Sequence, residues 1–253
     1  VAARVNVEHA IAVNSATSAL HIACLALGLN QGDRLWTVPN TFVASANCGR
    51  YCDADVDFVD INPDTYNIDV NLLRDKLSLA KKNNILPKIV IPVHFGGQPT
   101  EQEVIWNLAQ EFGFKIIEDA SHAIGASRNG EWVGSCKWSD ISVFSFHPVK
   151  IITTAEGGIA LTNDKDLCLK MQILRSHGIT RDPDFMQTIP EGAWCYEQID
   201  LGYNYRMSDM QAALGLSQLN RLDEFVNKRN EIAMRYDYLL QNLPVQRPKI
   251  LPE

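Results

Sequence analysis

A chain of 253 residues that is 46% hydrophobic is long enough for one large domain and apolar enough to fill its core, which excludes wholesale disorder. Its net charge of −7, from 30 acidic and 23 basic residues with no long basic run, argues against a nucleic-acid surface. Six cysteines without a CxxC pair, no apolar run of membrane-spanning length and no visible signal peptide together predict a cytoplasmic protein with reduced thiols and no membrane or metal partner.

In chain order, "HAIAVN" predicts a strand and "SATSALHIACLALGL" a helix with Leu20, Cys24 and Leu27 on one face. A strand "DRLWTV", a helix "TFVASANCGRYC" and a strand "VDFVD" follow. "DVNLLRDKLSLAKK" reads as a helix capped by Asp69, and "PKIVIPVHFGG" as a buried strand closing on a glycine turn. "TEQEVIWNLAQEFG" opens with Thr100 and Glu103 in capping-box spacing, and "FKIIEDA" is again a strand. "DISVFSF" and "GGIALTN" are strands with no room for a helix between them, and "DKDLCLKMQILRSH" is helical. Residues 177–206 read as irregular; from Ser208, spaced with Gln211 as a capping box, one or two long helices run onward. Strand–helix alternation of this kind predicts α/β layering around a largely parallel sheet.

In such sheets, ligands bind beyond the carboxyl ends of the strands. After "HAIAVN" comes "SATSAL", a helix start with small residues and the hydroxyls of Thr17 and Ser18; this is either a phosphate seat or a plain N-cap. Asp119 ends the strand "FKII", with His122 three residues on; a carboxylate there can hold a protonated ring nitrogen or cap the next turn. In "SFHPVKIITTAEGG", Lys150 sits on the connection between two buried strands, either as a surface charge or as a desolvated, nucleophilic amine. Phe42, in "VPNTFVASAN", is a core phenylalanine or a cover for a flat ring. One ligand satisfies all of these at once: pyridoxal phosphate needs an amine for its aldehyde, an anion for its pyridine nitrogen and donors for its phosphate.

The stretches "NSATSALHIACLALGL", "VPNTFVASAN", "IIEDASHAIGA", "VFSFHPVKIITTAEGGIALTND", "RSHGI" and "LGYNYRMSDMQAALGLSQL" resemble the DegT/StrS family of pyridoxal-phosphate-dependent sugar aminotransferases, of the aspartate-aminotransferase fold type. Within that family they are most similar to the UDP-4-keto-sugar transaminases of the pseudaminic acid pathway. The resemblance implies a three-layer large domain over residues 1–215 with a mostly parallel mixed sheet. It further implies that residues 216–253 lead toward a small C-terminal domain that is cut short. It makes Lys150 the Schiff-base lysine, Asp119 the partner of the pyridine nitrogen, His122 a contact to the ring or its 3-hydroxyl, and Phe42 the stacking aromatic. Ala16, Thr17 and Ser145 become phosphate contacts, and Asn204 reaches the phosphate of the other subunit, which implies a homodimer with shared active sites. L-glutamate and a nucleotide-linked 4-keto sugar are the implied substrates. The ends, beginning on Val1, read as cut from something longer, which keeps a cofactor-sensing or inactive homologue as the alternative. A dinucleotide-dependent dehydrogenase is disfavoured because no GxGxxG turn follows an early strand. Arg181 and Arg206 stay open between nucleotide contacts and surface or interface charges, and His147 between a turn residue and a substrate contact. His94 is expected to pack structurally at its strand end.

Overall fold

The computed structural model describes residues 1–251. A short helix α1 (Ala2–Val5) leads into β1 (His9–Val13), α2 (Ala16–Ala26), β2 (Arg34–Thr37), α3 (Ala44–Tyr51) and β3 (Asp55–Phe58). Next come α4 (Val70–Lys82), β4 (Ile89–Val90), α5 (Gln102–Phe112), β5 (Lys115–Asp119) and a small hairpin of β6 (Ser127–Arg128) and β7 (Glu131–Trp132). The chain continues through β8 (Ile141–Ser145), β9 (Gly158–Thr162), α6 (Lys165–Arg175), β10 (Ile179–Thr180), β11 (Glu197–Gln198), α7 (Asp209–Leu219) and α8 (Leu222–Leu240).

Seven strands form one sheet in the order β1-β9-β8-β5-β4-β2-β3. Every pairing from β8 to β3 is parallel, while β9 runs against both β8 and β1. The sheet is therefore mixed but mostly parallel, with β9 the single reversed strand. Its central strands are buried on both faces, as the long apolar runs require. On one face α2, α3 and α6 cover a core that includes Leu20, Cys24, Ile117 and Met171; on the other, α4 and α5 pack over Trp36, Val90 and Ile116. A third cluster joins Val5, Phe144 and Ile152 to Leu222 at the start of α8, with Phe225 and Val226 packed beside it. Beyond that first turn α8 exposes Ile232, Met234 and Tyr236. Among the described residues no helix is long and apolar enough to cross a membrane.

The helix starts follow their capping residues. Ser15 accepts from the Ser18 amide, Asp69 from the Asn71 and Leu72 amides, and Ser208 forms the full reciprocal box with Gln211. The Thr100–Glu103 box does not form. His94 captures the Thr100 amide, the Thr100 hydroxyl donates to Gln102 at 2.6 Å, and α5 starts after Glu101 without a side-chain cap. Three further expectations are corrected. The strand expected over 87–97 pairs regularly only at Ile89–Val90; Pro92 has no N–H to give, and Gly96 and Gly97 turn the chain at positive φ. The helix expected from Thr41 begins at Ala44, leaving Thr41 to Val43 as a lip ahead of it. The stretch 177–206 is not wholly irregular, since β10 and β11 pair within it.

Candidate active site

The sheet geometry gathers the chemistry at the carboxyl ends of β1, β5 and β8. A cavity of about 280 Å³ is lined by Ala16, Thr17, Phe42, Asp119, His122, Ser145 and Lys150, with Asn40, Thr41, Ser121 and Gly157 completing its wall. Seven of the eight residues expected in the site thus share one cavity. Asn204 does not. It lies exposed on the stretch after β11, its backbone paired with Ser176 and its carbonyl accepting from Asn14. Arg181 and Arg206 are also exposed and outside the cavity wall, whereas His147 lines it.

Each wall has a local cause. The α2 start presents the Ala16 and Thr17 amides ahead of the capped Ser18 amide, at the positive end of an 11-residue helix. Strand β9 closes up behind that start: a Cβ on Gly158 would lie 2.4 Å from the Ala16 nitrogen and 2.6 Å from the Ser15 carbonyl carbon. Only glycine allows this approach, so the opening of α2 is pressed against β9. Free amides at such a helix start are suited to seat an anion.

Asp119 is the last residue of β5 and is 5% exposed. Its Oδ2 accepts from the Ser45 hydroxyl at 2.6 Å, and its Oδ1 accepts from the Ser121 hydroxyl at 2.6 Å and the Ser121 amide at 3.2 Å. Thr41 and Ser45 share a hydrogen bond of 2.8 Å, so the segment carrying Phe42 also steadies the carboxylate. Sequence reasoning misses Ser45 and Ser121. The i to i+4 spacing of Thr41 and Ser45 around Phe42 is the signal that could have found the first of them.

Lys150 lies on the β8–β9 connection, which is tied down at several points. The Thr154 amide and Thr153 hydroxyl donate to the Phe146 carbonyl, the Lys150 amide donates to the His147 carbonyl, and Arg229 of α8 reaches the Lys150 carbonyl. Burial lowers the Lys150 ammonium below the usual lysine range, and the Asp119 carboxylate opposes that shift without cancelling it. His122 is also lowered, by burial first and then by the Lys150 charge, against an upward pull from Asp119. Phe42 rims the cavity and is 74% exposed, so it offers a ring face without being part of the core.

The residues present fit pyridoxal phosphate. A half-buried amine with a lowered proton affinity, a buried carboxylate held by two hydroxyls, and an anion seat surround a single volume. No group of histidines, cysteines and carboxylates suited to a metal ion occurs among the described residues.

Comparison with known proteins agrees with this geometry. The DegT/DnrJ/EryC1/StrS aminotransferase family model matches residues 1–253. A UDP-4-amino-4,6-dideoxy-N-acetyl-beta-L-altrosamine transaminase of Campylobacter jejuni is 45% identical over 233 residues, covering 92% of this chain and 58% of that protein. GDP-perosamine synthase of Caulobacter vibrioides is 39% identical over 237 residues, covering 94% of the chain and 59% of that protein. The solved structure of Helicobacter pylori PseC, an aminotransferase involved in the biosynthesis of pseudoaminic acid, superposes with a TM-score of 0.84 at 34% identity, over 96% of this chain and 61% of that one. The chain spans less than two thirds of the length of each of these relatives. With its mostly parallel mixed sheet, its lysine hairpin and a match along its whole length, the chain belongs to the DegT/DnrJ/EryC1/StrS aminotransferase family.

Proposed function

We propose that the protein carrying this chain is a pyridoxal-phosphate-dependent aminotransferase that moves an amino group from L-glutamate to the C4 keto group of a UDP-linked deoxy-sugar. The product serves surface or flagellar glycan biosynthesis in the cytoplasm. The observation that carries the reading is the convergence of Lys150, Asp119 and the α2 start on one cavity. The sugar and nucleotide rest on the similarity to the Campylobacter transaminase.

Bound in the cavity, pyridoxal phosphate supplies an electron sink for the charge left when an amino donor loses its Cα proton. The chain's residues do the rest. The Ala16 and Thr17 amides, the Thr17 hydroxyl and the Ser145 hydroxyl hold the phosphate. Phe42 covers one face of the ring and His122 contacts its edge. Asp119 accepts from the ring N–H and so keeps a proton on that nitrogen. Lys150 Nζ would be the amine that holds the cofactor aldehyde and, when free and neutral, would carry the donor's Cα proton. Two chains share the work. Asn204, exposed and outside its own cavity, serves the phosphate of a second copy.

The reading is tested by adding pyridoxal phosphate to the full-length protein and recording its visible spectrum. A retained band that bleaches with L-glutamate and returns with a UDP-4-keto sugar supports it. No retained band, or a band indifferent to glutamate, overturns it.

The lowered proton affinity of Lys150 gives a pH prediction. Attack on the cofactor aldehyde needs the uncharged amine, so the rate of cofactor attachment should rise with pH through a midpoint below that of a free lysine. The Asp119 carboxylate favours the ammonium form, so Asp119→Asn should move that midpoint lower still. Stopped-flow absorbance across a pH series reads both values.

A further inference from the structure

Glu118 and His94 are buried ionisable groups close along the chain to the site, and the proposed chemistry does not use them. Glu118 is 4% exposed and His94 1%. They face a second, smaller cavity of about 160 Å³, walled by Trp132 and Trp138, on the other side of the sheet from the site. Neighbouring strand residues point to opposite faces, so Ile117 and Asp119 look toward α2 and α3 while Ile116 and Glu118 look toward the α4–α5 layer.

The His94 ring has both nitrogens engaged. Nδ1 accepts from the Thr100 amide at 3.0 Å, which places the ring proton on Nε2, where it donates to Glu118 Oε2 at 3.0 Å. The backbone on either side is equally committed. The His94 amide donates to the Asp119 carbonyl at 3.1 Å, and the Asp119 amide donates to the Pro92 carbonyl at 3.0 Å. Val93 and Asp119 form an isolated parallel bridge, the last pairing before the strands end. The turn that follows reaches the next site residue as well. The Gly97 amide donates to the His94 carbonyl, and a Cβ on Gly97 would stand 2.8 Å from the His122 carbonyl oxygen.

We propose that Glu118 and His94 are positioning residues that fix the end of β5 from behind, so that Asp119 and His122 are held toward the cofactor ring. A slip or twist of one residue at this point would turn Asp119 away from the cavity and bring Glu118 toward it. Regular pairing with β4 ends at Ile89–Val90, before Asp119, so on that side only the Val93–Asp119 bridge continues the ladder, while on the other side β8 pairs through Asp119. The Glu118–His94–Thr100 bridge adds a side-chain tie on the side where the ladder thins to that single bridge. The pair contributes to the site only through the register and tilt of Asp119 and the His122 turn.

The positioning role rests on the proposed cofactor chemistry, and a double-mutant cycle separates the two. Cofactor affinity and the visible circular dichroism per bound cofactor are measured for the full-length protein and for Glu118→Leu, Asp119→Asn and the double variant. Glu118→Leu should weaken cofactor binding by about tenfold and reduce the dichroism of what remains, within the coupling range of residues in one hydrogen-bond network. In the Asp119→Asn background the same change should have little further effect, because the group it positions is gone. Glu118→Gln, which keeps an acceptor for His94 Nε2, should recover most of the loss.

Equal losses in both backgrounds would overturn the positioning role and leave a purely structural pair. An unchanged dichroism with lowered thermal stability would do the same. If Asp119→Asn alone leaves cofactor affinity and spectrum unaltered, it is the cofactor chemistry that fails. Should Glu118→Leu not fold, His94→Gln takes its place in the cycle as a lesion at the other end of the same bridge, with the same outcomes deciding.

Discussion

Lys150→Ala is expected to leave a folded protein that shows no lysine-bound cofactor band and turns over at least about a thousandfold more slowly, the scale of losing a positioned proton carrier that is also the covalent anchor. Folding should survive because the lysine loop is held by its backbone and its threonines. The Phe146 carbonyl receives the Thr153 hydroxyl and Thr154 amide, and none of these bonds involves the Lys150 side chain. The amine itself is half-buried and carries a desolvation cost, so removing it should not lower thermal stability. Cofactor could still enter and dissociate freely, since the anion seat and Asp119 remain. Absorbance, equilibrium dialysis and a melting curve on one preparation would check the three parts. A normal band in Lys150→Ala would remove the lysine from the chemistry altogether.

Asp119→Asn is the second large effect. An amide cannot hold a proton on the ring nitrogen as a carboxylate does, so the electron-accepting power of the bound ring should fall and turnover with it, by about a hundredfold or more. The change also disturbs the surroundings. Ser45 and Ser121 both donate to the Asp119 oxygens, and an Asn NH2 presented to either hydroxyl leaves a clash of donors unless that hydroxyl rotates. A stability loss of about 1–3 kcal/mol is expected from that mismatch. Asp119→Glu, by contrast, keeps the charge but pushes it a methylene further into the cavity. It should retain more of the spectrum's protonated character than Asp119→Asn while binding the cofactor less well. Steady-state rates, absorbance maxima and denaturant melts distinguish the electronic loss from the packing loss.

How much of the fold and the site is legible in the sequence depends on how local each signal is. The α2 start, Asp69 and Ser208 are readable because capping is decided within four residues. Lys150 and Asp119 are readable as candidates because both follow apolar strand runs, and the carboxyl ends of such strands converge in a parallel sheet. What joins them is the requirement of one ligand for an amine, an anion and a phosphate seat, together with the resemblance of the surrounding stretches to a known family. The failures have the opposite character. Thr100 has the spacing of a cap, but His94, six residues back, takes its amide, and only the tertiary fold brings the ring there. Ser45 reads as an ordinary helix residue until β5, 74 positions later in the chain, places Asp119 against it. The apolar residues of 87–97 suggest a long strand; the two prolines and two glycines among them set its true end. Asn204 stands exposed within one chain, and its proposed role depends on a second.

The strand order also bears on how the chain is made. β1 lies at the sheet edge, and its strand partner β9 comes about 150 residues later, with Val13 opposite Gly158. At ribosomal rates of about 5–20 residues per second, the first strand therefore waits about 7–30 seconds with its backbone unpaired. The anion seat cannot be completed in that time, since its rear wall is the Gly158 end of β9. The nascent chain must carry an unpaired β1 edge until β9 has been made. Chaperone demand and aggregation during expression should accordingly be set by translation across β9 more than by the helices in between.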